Sequence, residues 1–145
     1  LVLAAPIGLR APEHPTVDLF SVRDEEVLGY LAADQSVFAG HVPSPPTPEF
    51  LAGRYRESTS MARVFWNRIY DVKLPRWLHR LTMPTLLLWG LKDFVFDKHC
   101  LDEFTRAWPN AEVHAFDDAN HYVLEDKHEV LVPQIRTFLD RHRLT

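Results

Sequence analysis

Residues 83–93 read Met83-Pro84-Thr85-Leu86-Leu87-Leu88-Trp89-Gly90-Leu91-Lys92-Asp93. Pro84 ends any helix arriving from upstream, residues 85–89 form a short apolar run, and Gly90 closes it with a turn residue. A run that is apolar at successive positions has no face to offer solvent. It reads as a strand inside a parallel sheet covered by helices on both sides, and therefore as an α/β architecture. Asp93 lies just past the carboxyl end of that strand. In open parallel sheets, side chains from separate strands converge in this region.

Downstream of Asp93 the period changes to that of a helix. Asp97 stands at a capping position, and Cys100, Leu101, Phe104, Ala107 and Trp108 recur at helical spacing until Pro109 stops the run. Residues 111–116 form a second strand candidate, and Asp117-Asp118-Ala119-Asn120 is a polar turn leading to His121. A final helix follows. Asp126 and Glu129 are spaced as a capping pair, Leu131, Ile135, Phe138 and Leu139 share one side, and Pro133 is expected to kink or split it.

Upstream, Leu1-Val2-Leu3-Ala4-Ala5-Pro6 reads as another buried strand, and its abrupt start suggests a piece of a longer protein. Pro6, Gly8, Pro12 and Pro15 then punctuate a loop. The spacing predicts helices over residues 21–33 and 48–67 and a shorter amphipathic piece over 75–81, with Pro43, Pro45, Pro46 and Pro48 forcing an extended link. The organisation expected is therefore the end of a core strand in residues 1–9, a helical insertion in 10–81, and a strand–helix–strand–helix core in 82–145. No repeat or low-complexity segment interrupts it.

The 145 residues are 46% hydrophobic, with 16 basic and 20 acidic side chains and a formal net charge of -4. The charges are mixed along the chain, unlike the basic footprint of a nucleic-acid binder. No apolar stretch has the length of a membrane span. The single Cys100 excludes an internal disulfide and a multi-cysteine zinc site and fits a reducing, cytoplasmic setting.

Asp93 and His121 are the residues with chemistry to offer. If the strands preceding them are neighbours, their loops lie side by side. A buried carboxylate accepting from one imidazole nitrogen fixes the tautomer and leaves the other nitrogen to move a proton. The competing reading makes Asp93 a turn or cap residue and His121 a hydrogen-bonding histidine in a surface turn. Asp97 is a second acid nearby, but its position before the helix favours capping. His14, His41, His79, His99, His114, His128 and His142 show no His-Glu-x-x-His spacing, so no metal is expected, and Cys100 reads as a small core residue.

The segment from Pro84 to Leu139, with His121 placed 28 positions after Asp93, resembles the C-terminal third of the α/β-hydrolase fold family. The resemblance implies the C-terminal part of a parallel sheet with an inserted helical lid. It makes Asp93 the acid and His121 the general base of a nucleophile–acid–base triad that works without a cofactor. Two departures stand out. Asn120 occupies the position before the histidine where the family usually has glycine, a residue that also tolerates a left-handed backbone. No Gly-x-Ser-x-Gly occurs, and no Asp or Cys takes an equivalent elbow, so the nucleophile, the oxyanion hole and the N-terminal half of the core are expected upstream. The segment alone is then expected to lack triad-dependent hydrolase activity.

The resemblance further implies an ester or related acyl bond as the parent enzyme's target. A dehalogenase- or epoxide-hydrolase-like enzyme with an aspartate nucleophile is the alternative, and a non-catalytic remnant or interaction module is a third reading. Tyr122 argues against the family's carbon–carbon bond hydrolases, which often carry tryptophan there. Phe38, Phe50, Tyr55, Phe65, Trp66 and Trp77 are available either to line an apolar pocket under the lid or to pack it onto the core. Of these, Phe65 and Trp66, together with Tyr122, are the candidate contacts to an apolar or acyl-type substrate.

Overall fold

The computed structural model describes residues 1–38 and 40–143. The apolar run forms strand β2 (Leu86–Gly90), every residue of which is buried. It is the middle strand of a three-stranded parallel sheet ordered β1–β2–β3, with β1 at Val2–Ala4 and β3 at Glu112–Phe116. The register pairs Val2 with Leu86, Leu88 with His114, and Gly90 with Phe116.

Alternation along β2 divides the core in two. Leu87 and Trp89 join a cluster with Leu101, Phe104 and Trp108 of the α4 region, where helix α4 spans Lys98–Ala107. Leu86 and Leu88 face the other way, onto Val123, Leu131 and Phe138. Burying each of these leucines contributes about 2 kcal/mol, so β2 anchors both layers. The indole N–H groups are also satisfied inside: Trp89 donates to the Phe96 carbonyl at 3.2 Å and Trp108 to that of Leu81 at 3.3 Å.

Between β1 and β2 run helix α1 (Asp24–Leu31), a 3₁₀ turn (Gln35–Phe38), α2 (Pro48–Phe65) and α3 (Pro75–Leu78). Helix α1 is shorter than the pattern of residues 21–33 suggests. At its start Asp18 holds Ser21 in a turn, with Ser21 N donating to the Asp18 carbonyl at 3.0 Å. At its end Ala32 is already extended. The Pro48 start of α2 is as read from the sequence, with the Thr47 hydroxyl accepting from Phe50 N at 3.2 Å. None of its residues is buried.

The last helix differs from expectation in two ways. It is divided into α5 (Val123–Asp126) and α6 (His128–Arg141), with the break at Lys127, and α6 runs through Pro133 without interruption. Asp126 does not cap α6 with Glu129. Its carboxylate turns back to backbone N–H groups of the α1 region and of Asn120, which leaves α6 with Lys127 at its N-cap and no side-chain cap. No helix among the described residues is long and apolar enough to cross a membrane.

Candidate active site

Asp93 and His121 occupy neighbouring loops because β2 and β3 are hydrogen-bonded neighbours, and the loops continue that pairing. Leu91 N donates to the Phe116 carbonyl at 2.8 Å and Lys92 N to that of Ala119 at 2.9 Å. The approach requires glycine at position 90. A Cβ there would stand 2.2 Å from the Asn120 carbonyl oxygen and 2.5 Å from that of Ala119, inside van der Waals contact with backbone that has no room to yield.

At the centre, His121 Nδ1 lies 2.9 Å from Asp93 Oδ2. The Asp93 side chain has no exposed surface and that of His121 is 18% exposed. The second carboxylate oxygen, Oδ1, accepts from Val95 N and Phe96 N, each at 2.8 Å. These two bonds fix the plane of the carboxylate. An ionised carboxylate only accepts, so the proton in the 2.9 Å bond sits on Nδ1, and Nε2 carries the lone pair. The arrangement can take a proton at Nε2 and stabilise the resulting imidazolium against a buried negative charge.

A further layer, not foreseen in the sequence, holds the pair in place. The Asn120 side-chain oxygen accepts from His121 N at 2.8 Å and from Phe94 N at 3.2 Å, linking the two loops, and its amide nitrogen donates to the Gly29 carbonyl at 3.4 Å. Asn120 is 2% exposed. The left-handed backbone entertained for it is absent; Ala5 is the non-glycine residue with positive φ among those described. Its side chain, not its backbone freedom, is what this position uses. Asp126 accepts from Asn120 N at 2.8 Å, from Ala33 N at 3.0 Å and from Asp34 N at 3.2 Å. Tyr122 N donates to the Leu31 carbonyl at 2.7 Å. The histidine loop is thus tied to the end of α1.

Aromatic rings surround the imidazole. Phe96 lies 5.4 Å from it between centroids and Tyr122 lies 5.9 Å away, itself 5.4 Å from Phe38. Burial pushes the Tyr122 hydroxyl above its ordinary titration range, so it stays neutral. Of the other candidate substrate contacts, Phe65 is half-buried at the end of α2 and Trp66, just beyond it, is 76% exposed. A cleft of about 500 Å³ opens beside Phe94, Tyr30 and Gln35, and neither Asp93 nor His121 lines it. Asp97 caps α4 through His99 N, as read from the sequence. Cys100 is 2% exposed and burial pushes its thiol up to about 11. The structure does bring two of the scattered histidines together: His14 and His99 meet around Asp97, a grouping invisible to a search for local spacing.

Comparisons with known proteins agree with this fold. The alpha/beta hydrolase fold family matches residues 50–128. A stretch of 61 residues, 42% of the chain, is 69% identical to the cis-3-alkyl-4-alkyloxetan-2-one decarboxylase of Xanthomonas campestris pv. campestris and covers 20% of that protein. Among solved structures, a bacterial membrane phospholipase A superposes over 100% of the chain and 50% of its own, with a TM-score of 0.68 and 20% identity. A serine hydrolase from Cycloclasticus zankles superposes over 96% of the chain and 54% of its own, with a TM-score of 0.65 and 18% identity. At such identities the structural likeness shows the fold alone. The chain spans about half the length of these structures, and its match to the curated relative spans a fifth of that protein. The family match covers more than half of the chain, and with the parallel sheet and covering helices it identifies the chain as a member of the α/β-hydrolase fold family.

Proposed function

We propose that this chain supplies the acid–base half of an α/β-hydrolase active site that cleaves an acyl bond in an apolar ester. Asp93 holds His121 with its proton on Nδ1, and Nε2 takes the proton of the attacking nucleophile and returns it to the leaving oxygen. The 2.9 Å contact between His121 Nδ1 and the fully buried carboxylate of Asp93 carries the reading.

The nucleophile and the oxyanion donors are assigned to residues outside this sequence, which contains no Gly-x-Ser-x-Gly. Cys100 does not substitute for them, since it is buried and its thiol titrates near 11, far above neutral pH. Residues 10–81 are assigned as the lid, with its Phe65 and Trp66, and Tyr122 of the core, as contacts to substrate. The 145-residue chain by itself is then expected to give no turnover that depends on His121.

A second reading is favoured by the 69% identity to the oxetan-2-one decarboxylase. An oxetan-2-one is a four-membered cyclic ester, and its loss of carbon dioxide leaves a carbon–carbon double bond. The two readings share an apolar ester substrate and differ in product. The test is to supply the enzyme that carries this chain with alkyl esters and with cis-dialkyl oxetan-2-ones, and to measure acid, alkene and carbon dioxide. Asp93→Asn is expected to lower turnover roughly 10⁴-fold by allowing the wrong imidazole tautomer. His121→Ala retaining full turnover would overturn both readings.

A further inference from the structure

His14 lies more than eighty positions from Asp97 and His99, yet the three side chains meet at the N-terminal end of α4. Asp97 divides its two oxygens between two tasks. Oδ1 accepts from His99 N at 2.9 Å and caps α4, while Oδ2 faces His99 Nδ1 at 3.0 Å and His14 Nδ1 at 3.4 Å. We propose that His14, Asp97 and His99 form a binding site for a divalent transition-metal cation of the zinc class.

The distances suit such an ion. Ligands placed about 2.0–2.1 Å from a tetrahedral zinc stand about 3.3–3.4 Å from one another, close to the separations seen around Oδ2. Two imidazoles and one carboxylate are the donors of a borderline ion, and they disfavour calcium and magnesium, which take oxygen ligands. Both partners are held by their own segments. The turn from Ala11 to His14, with His14 N donating to the Ala11 carbonyl at 3.0 Å, packs through buried Ala11 into the cluster that contains Cys100. Asp97 and His99 are held by the first turn of α4.

The site is also accessible. The three side chains are 37–42% exposed, and the two histidines open on a cleft of about 300 Å³ that Glu13, Asp102 and Glu103 share. These carboxylates outnumber its one arginine, Arg106, which pairs with Glu103, so the cleft favours a cation. The two imidazole rings lie stacked, with centroids 3.4 Å apart and 9° between planes. Their lone pairs run side by side in that arrangement. Binding one ion requires the rings to splay at their outer edges, a rotation that their exposure permits. The bound ion would staple the entry of the helical insertion to the helix that follows the Asp93 loop.

The test is calorimetric titration of the chelator-treated, tag-free chain with zinc, and with cobalt to read tetrahedral coordination by its visible absorption. One equivalent of zinc is expected to bind and to raise the melting temperature, while calcium leaves it unchanged. His14→Ala and His99→Ala should each weaken zinc binding by roughly tenfold or more, as loss of a direct ligand must cost at least what loss of an outer hydrogen-bonding partner does. Asp97→Asn keeps the helix cap but removes the charge, and should weaken binding similarly. His128→Gln, away from the cluster, should bind as the parent does. Metal-free melting curves confirm that each variant folds. Absence of stoichiometric zinc binding, or binding equally tight in the His14 and His99 variants, overturns the proposal.

Discussion

Gly90 shows how much of the site rests on a single missing methyl group. Gly90→Ala would push a Cβ into the carbonyls of Ala119 and Asn120, and because both are backbone atoms the cost is expected to reach about 3 kcal/mol. The loop carrying His121 would have to retreat from Asp93. Two measurements check this: the unfolding midpoint in urea, and the low-field Nδ1 proton of His121, which should vanish. Asp126→Ala is expected to cost about 2 kcal/mol, chiefly from the half-buried N–H of Asn120 left without its charged acceptor. The midpoint in urea should fall while the slope stays constant. The sequence made Asp93 and His121 legible, since strand ends and loop positions follow from apolar runs and turns. It singled out Asn120 and Asp126 but hid their roles, because their partners Gly29 and Ala33 lie 91 and 93 positions away.

At the scale of elements, legibility followed the strength of local patterning. The β2 run and the Pro48 start of α2 were readable because burial on both faces and a proline in the first helical turn each leave a local mark. The split of the final helix was misplaced onto Pro133 because the force that breaks it at Lys127 comes from distant backbone drawn to Asp126. Helix α2 is well capped but buries nothing, leaving Leu51, Tyr55, Met61 and Val64 all more than half exposed. Helices of this length depend on packing for most of their stability. Its amides are therefore expected to exchange with solvent well before those of β2 and α6. Thr47→Ala should accelerate that exchange through a local loss of about 1 kcal/mol while leaving the global melting temperature nearly unchanged.

Across the whole molecule, β2 separates two apolar layers, and Cys100 lies deep in one of them. A thiol titrating near 11 is almost wholly protonated at pH 8, and its burial denies access to reagents. Alkylation of Cys100 by iodoacetamide is expected to be negligible in the native chain and complete in denaturant, which makes the rate a readout of core opening. Rapid native labelling at pH 8 would contradict the buried placement. The α/β class and parallel order were legible at this scale because helical and apolar segments alternate along the chain. The meeting of His14 with Asp97 and His99 was not, since it depends on where a proline-rich loop lands on α4.

The bonds from Asn120, Tyr122 and Asp126 to the end of α1 have a mechanical consequence. They gear the imidazole to the helix. Any displacement of α1 would therefore pull on the backbone directly before and after His121. A residue inserted near position 30 is expected to reach the imidazole through these same bonds.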